Sequence, residues 1–149
     1  MLRISKLADY GTVVMAFLAR NAKSFSPMCA NARTIASETH LSIPTVSKLL
    51  KQLVHAGLLI SQRGVRGGYQ LARSAETISV AAIIHALEEK TGLTECAQFN
   101  HHCALSPICT TRDNWRTLNQ AIQNALESVS LEALAKAHFI APAFKMVIN

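Results

Sequence analysis

The chain has 149 residues, enough for one domain with a sizeable core or a small domain carrying an oligomerisation segment, and too few for a large two-domain enzyme. Half of the residues are hydrophobic and 16% are charged, the composition of a folded chain rather than a disordered or collagen-like one. The net charge of +6 is unevenly divided: residues 1–73 hold ten Lys and Arg against Asp9 and Glu38, a balance of +8, whereas residues 74–149 hold five against seven acids, a balance of −2. A basic half of this kind points to phosphate backbones or an anionic membrane surface as the partner.

Residues 4–20 read as a first helix with Leu7, Val14, Phe17 and Leu18 on one face. The apolar stretch from Val13 to Ala19 falls far short of the roughly 20 residues that a membrane helix needs, so an ordinary amphipathic helix is expected and no membrane association. Asn31 is placed to cap a short second helix ending at Thr39, with Ile35 and Ala36 inward, because its side-chain oxygen can accept from a free amide of the first turn. His40, Leu41 and Ser42 form the turn. A third helix runs from Ile43 and Pro44, where proline's missing N–H costs nothing, to Ala56, and Gly57 stops it. Its inward stripe is Val46, Leu49, Leu50 and Leu53, which leaves Thr45, Ser47, Lys48, Lys51, Gln52 and His55 on a polar, basic outer face.

Two extended runs at 58–63 and 68–73 flank a tip of Gly64, Val65, Arg66 and Gly67, the pattern of a hairpin in which Gly64, Gly67 and Gly68 can take positive φ. A fourth helix is expected from Val80 to Lys90, capped by Ser79 and stopped by Gly92, with Val80, Ile83, Ile84 and Leu87 inward. Residues 93–112 form a loop that carries three cysteines. Beyond it Trp115, Leu118, Ile122, Ala125 and Val129 recur at spacings of 3, 4, 3 and 4, the seam of a long helix that packs on another helix. The segment from Phe139 to Asn149 contains Pro142 and shows no period.

Two short helices joined by a three-residue turn and followed by a basic hairpin make a winged helix-turn-helix, so the fold is expected to be mainly α with a small β-hairpin wing and a long C-terminal dimerisation helix. A helix with a polar outer face fits the major groove, and a thin Gly/Arg hairpin can follow the backbone or enter the minor groove. Pro44, Thr45, Ser47 and Lys48 are then nearest the bases and Lys51 and Gln52 nearer phosphates, while Arg63, Arg66 and Tyr69 belong to the wing. Winged helices also bind proteins, so an interaction module is the alternative from another class. The organisation is read as a DNA-binding unit at 1–92, a cysteine loop at 93–112 and a dimerisation helix with its tail at 113–149.

The four cysteines are Cys29, Cys96, Cys103 and Cys109. Their number on a chain able to build its own core reads as reduced and cytoplasmic usage rather than a disulfide scaffold. The spacing Cys96-x6-Cys103-x5-Cys109, with His101 and His102 inside it, gathers soft thiolates suited to an iron-sulfur cluster or to zinc. It lacks the paired knuckles of structural zinc sites, and three thiolates leave one position for a different ligand. Cysteines sensing oxidation without a metal are a further reading. A cysteine nucleophile served by His101 or His102 has no orienting third residue, so no enzyme is expected. Cys29 stands alone in the sequence and reads as a small buried residue.

The start MLRISKLADYG, the helix end Leu53-Val54-His55-Ala56-Gly57-Leu58, the wing RGVRGGYQLAR at 63–73 and the three downstream cysteines together resemble the IscR/NsrR/RirA family of winged-helix repressors, and within it the regulators of the SUF iron-sulfur assembly operon. The resemblance covers residues 1–135. It implies a cytoplasmic homodimer, paired through the long helix, that binds double-stranded DNA at a palindromic operator and represses cluster assembly genes according to the state of a bound cluster. Members similar to IscR carry a histidine three residues after the last cysteine; Arg112 stands there instead, and a charged guanidinium cannot ligate. Members similar to NsrR take the fourth ligand from the partner's first helix, and Asp9 occupies the matching place, with His101 and His102 as local alternatives. Both a 2Fe-2S and a 4Fe-4S cluster remain open.

Overall fold

The apolar stripes of the predicted helices meet in one core: Val14, Met15 and Leu18 from the first, Ile35 from the second, Val46, Leu49, Leu50 and Leu53 from the third, and Ile83 and Leu87 from the fourth are all buried together. The computed structural model describes residues 4–22, 29–65, 67–88, 92–97, 103–105 and 107–136, and of Cys96 only the backbone. In chain order it has α1 (Lys6–Ala22), α2 (Ala32–Thr39), α3 (Ile43–His55), β1 (Leu59–Gln62), β2 (Gly68–Leu71), a 3-10 turn at Ala75–Thr77, α4 (Val80–Leu87), a second 3-10 turn at Glu95–Ala97, α5 (Arg112–Glu127) and α6 (Leu131–Ala135). This is a mainly helical winged helix-turn-helix.

Local chemistry sets the helix boundaries. The Thr34 amide donates to Asn31 Oδ1 at 2.9 Å, the Thr45 amide to Ser42 Oγ at 3.3 Å and the Ala82 amide to Ser79 Oγ at 3.1 Å, each cap contributing about 1 kcal/mol. His40 closes α2 in the left-handed region with φ of 55°, turning the chain from α2 into α3. Gly11 lets α4 lie close on α1, since a Cβ there would fall 2.0 Å from Leu87 Cδ1.

The wing is the antiparallel pair β1 and β2, in which Leu59 faces Leu71 and Gln62 faces Gly68. Gly64 and Gly68 have positive φ, at 110° and 157°. Gly67 is required for a different reason from the expected one: a Cβ there would stand 2.3 Å from the Gln62 carbonyl oxygen.

The later helices differ from the sequence expectation. α4 stops at Leu87, not Lys90, because Glu88 is extended at φ −112° and ψ 127° and its carboxylate is engaged by the Ser5 amide. Arg112, expected in the loop, opens α5. α5 ends at Glu127, so Val129 lies beyond it. The Val129 carbonyl accepts from the Val80 amide at 2.9 Å, and the Leu131 amide donates to the Ile78 carbonyl at 2.7 Å. α6, which the sequence pattern does not announce, then buries Leu131 completely in the core. The segment from Phe139 to Asn149 lies outside the described residues.

Candidate nucleic-acid interface and cysteine loop

α3 presents its outer face as the pattern requires. Pro44, Lys48 and Lys51 are exposed, Thr45, Ser47 and Gln52 half-buried. The Thr45 hydroxyl lies 2.7 Å from Ser42 Oγ, so it serves the cap while standing at the helix start. Gln52 Oε1 is buried and has no partner among the described residues. Ile43, which sequence reading did not single out, is 50% exposed at the first position of the helix. Its spacing to Val46 and Leu50 places it on the inward stripe, but the first turn projects beyond the core. An aliphatic group there has the shape and polarity to meet a thymine methyl.

The wing carries Arg63 and the fully exposed Val65 at its tip; Arg66 lies outside the described residues. Tyr69 is placed differently from Arg63, half-buried and packed against the core. Its backbone pairs with Ala30 on the side away from β1, Ala30 N to Tyr69 O at 3.1 Å and Tyr69 N to Ala30 O at 2.9 Å. Tyr69 thus fastens the root of the wing. Cys29, expected to be buried, is half-exposed. Its thiol donates to Gln62 Oε1 at 3.4 Å and lies 3.6 Å from Gln70 Oε1, one glutamine on each wing strand.

The cysteine loop leaves α4 at Glu88 and returns at α5. Its 3-10 turn, which contains the Cys96 backbone, packs on α5, where the Leu93 amide donates to Asn119 Oδ1 at 3.2 Å. Cys103 and Cys109 are free, half-exposed thiols. Cys109 Sγ lies 3.5 Å from the Thr111 hydroxyl. That hydroxyl, then the backbone of Thr111 and Arg112 and the nearby guanidinium, hold the Cys109 thiol below its ordinary pKa, which favours the thiolate that ligation requires. Arg112 is half-buried, and its Nε has no partner among the described residues. No three Cys, His, Asp or Glu side chains converge among the described residues; His101, His102 and the Cys96 side chain lie outside them. Asp9 is exposed in the first turn of α1 and lines a shallow cleft with Ile4, Lys6, Thr12, Val80, Ile84 and Leu134.

α5 buries none of its residues. His85 Nε2 and Gln123 Oε1, 2.8 Å apart, tie it to α4, and Leu126 packs on the core. Trp115 and Leu118 are left 40% and 48% exposed. No described helix is long and apolar enough to cross a membrane.

A family model described as iron-dependent transcriptional regulator, Rrf2, matches residues 4–137. The chain belongs to the Rrf2 family. Protein rrf2 of Nitratidesulfovibrio vulgaris is 30% identical over 141 residues, covering 95% of this chain and 92% of that protein. Among solved structures, CymR, described as the global cysteine regulator of B. subtilis, is similar with a TM-score of 0.69 and 30% identity over 91% of this chain and 97% of its own. T. potens IscR is similar with a TM-score of 0.68 and 31% identity over 92% of this chain and 89% of its own. The Rrf2 chain is accordingly a winged-helix transcriptional regulator, as the residues of the start, the third helix and the wing had indicated.

Proposed function

We propose that this Rrf2 regulator is a homodimeric repressor of iron-sulfur assembly genes whose affinity for a palindromic operator follows an iron-sulfur cluster on its cysteine loop. The observation that carries this reading is the pair of free, half-exposed thiols at Cys103 and Cys109, one with its thiolate favoured by Thr111. Soft thiolates in an open loop fit a cluster by donor chemistry. Cys96, Cys103 and Cys109 would hold it, with the partner's Asp9 as the fourth ligand. A bound cluster supplies metal–thiolate bonds that iron supply, oxidants or nitric oxide can make and break.

The chain's own residues carry the rest. Lys51 and Gln52 with Arg63 and Arg66 meet phosphates, and Pro44, Thr45, Ser47 and Lys48 approach the base edges. The Trp115 and Leu118 face of α5 pairs with its copy in a second chain, which fits an amphipathic helix with no buried residue. Residues 1–92 read DNA, 93–112 sense and 113–149 pair, with α6 returned to the first unit. In a dimer the two α3 helices must stand about 34–36 Å apart, one turn of DNA. Ordering the loop between α4 and α5 holds that spacing, so the sensor acts on affinity without touching a base.

The test is protein purified without oxygen, beside Cys103→Ala, examined by visible absorbance, iron and sulfide content and operator binding. Broad visible absorbance with iron and sulfide, lost in the variant together with a change in operator affinity, supports the reading. Equal operator affinity of cluster-loaded and cluster-free protein overturns it. A second reading, favoured by the same lowered thiol at Cys109, is a regulator whose cysteines hold zinc or respond to oxidation without metal; colourless protein with stoichiometric zinc would move the site to zinc, and protein with neither metal after reconstitution would leave cysteines that sense oxidation or nothing.

A further inference from the structure

Arg112 is sheltered in a way that the exposed arginines Arg63 and Arg73 are not. It opens α5, its side chain is half-buried, and its Nε is shut off from water with no acceptor among the described residues. Burying part of a cation is costly unless the charge is paired and hydrogen-bonded, and a buried N–H without an acceptor adds to that cost. The arrangement is that of a guanidinium set to meet an anion.

What stands beside it is sulfur. Cys109 precedes Arg112 by three residues, and its Sγ lies 3.5 Å from the Thr111 hydroxyl. The Cys109 thiol feels the Arg112 backbone amide and the Arg112 charge as well as Thr111. A neutral thiol is only a weak acceptor, whereas a metal-bound thiolate is anionic and accepts well. A cluster held by thiolates and a carboxylate has net negative charge, and its reduction potential follows that charge and the hydrogen bonds to its sulfurs. Arg112 cannot ligate in its charged form, so it can act on such a group only through charge and hydrogen bonding. A fixed cation favours the more negative of two redox states.

We propose that Arg112 is a positioning residue of the cysteine loop, serving the cluster through the Cys109 sulfur, and that it biases the site toward the reduced state so that the regulator senses one-electron donors. The proposal rests on the cluster reading. In the step concerned, one electron passes from an external one-electron donor to the iron, and no bond to the protein forms or breaks. The added negative charge falls beside a cation already in place. Because Arg112 is the first residue of α5, the increased attraction pulls directly on that helix.

The experiment measures the midpoint potential of the intact, reconstituted chain by dithionite titration under visible absorbance, for the unaltered protein, Arg112→Gln and Arg112→Lys. Arg112→Gln should hold the electron about tenfold less tightly, the scale of residues that stand behind a metal ligand. That is a fall of about 59 mV for a one-electron couple. Arg112→Lys keeps the charge and should recover most of the shift. Iron and sulfide content should match in all three proteins, since Arg112 is not a ligand, and melting curves check that each is folded. Equal potentials in the unaltered chain and Arg112→Gln, an equally large fall in Arg112→Lys, or unfolding or loss of the cluster in either variant overturns the proposal while the cluster reading stands. An unaltered chain that takes up no iron and sulfide overturns the cluster reading and the proposal with it.

Discussion

The Ser5 amide donates to Glu88 Oε1 at 2.8 Å, across 83 residues of chain. The bond places a carboxylate at the positive end of α1, where the helix dipole favours it, and fixes the point at which the chain leaves α4 for the cysteine loop. Glu88→Ala should lower stability by about 1 kcal/mol, the usual cost of a lost cap, as read by urea unfolding. Glu88→Gln keeps an acceptor oxygen and should lose less. Equal losses in the two variants would show that the hydrogen bond contributes nothing.

Cys109 gives a prediction with a definite sign. Because Thr111 and the start of α5 favour its thiolate, alkylation of Cys109 in metal-free protein should rise with pH through a midpoint below that of an ordinary thiol, since the thiolate is the nucleophile. Thr111→Val removes the hydroxyl donor and should move the midpoint upward. Peptide-resolved mass spectrometry follows Cys109 alone, and an unmoved midpoint would remove Thr111 as the cause.

The exposed face of α5 predicts a change of assembly. Leu118→Glu puts a charge where apolar surface is expected to be buried, so the dimer should dissociate to monomers in sedimentation equilibrium. The fold should be kept, because Leu118 makes no part of the monomer core. Operator affinity should fall with it, as each half-site is then held separately. A dimer that persists in Leu118→Glu would place the pairing surface elsewhere.

For Arg63 the readout is salt. Each phosphate contact contributes about 0.9 to the slope of log affinity against log salt, so Arg63→Ala should make that slope shallower by about 0.9 if one contact is lost. A weakened affinity with an unchanged slope would assign Arg63 to something other than phosphate.

What the sequence made legible was local. Asn31 and Ser79 act as caps because capping needs only a short polar side chain beside free amides, and the stripe of Val46, Leu49, Leu50 and Leu53 follows from helical spacing alone. Lys48, Lys51 and Arg63 could be expected on the surface for the same reason. Ile43 was concealed because its spacing matches the buried stripe, and only the reach of the first turn beyond the core exposes it. Glu88 and Leu131 were concealed because their partners are far away in the chain: a carboxylate meeting Ser5 and a leucine returning from beyond α5 leave no periodic trace. The two glutamines beside Cys29 depend on the pairing of β1 with β2, which residue type does not encode.

The stitch between Ile78–Val80 and Val129–Leu131 has a mechanical meaning. α4 stays in the core, and the chain that leaves its end through the cysteine loop and α5 is fastened again at the start of α4, so loop and α5 form a closed handle with both feet bolted to the same plate. A handle cannot relieve a change in its span by sliding a foot; it can only twist. On the proposed reading, a change in the loop would be delivered as rotation of α5 against α4, with the His85–Gln123 contact as the first joint to turn.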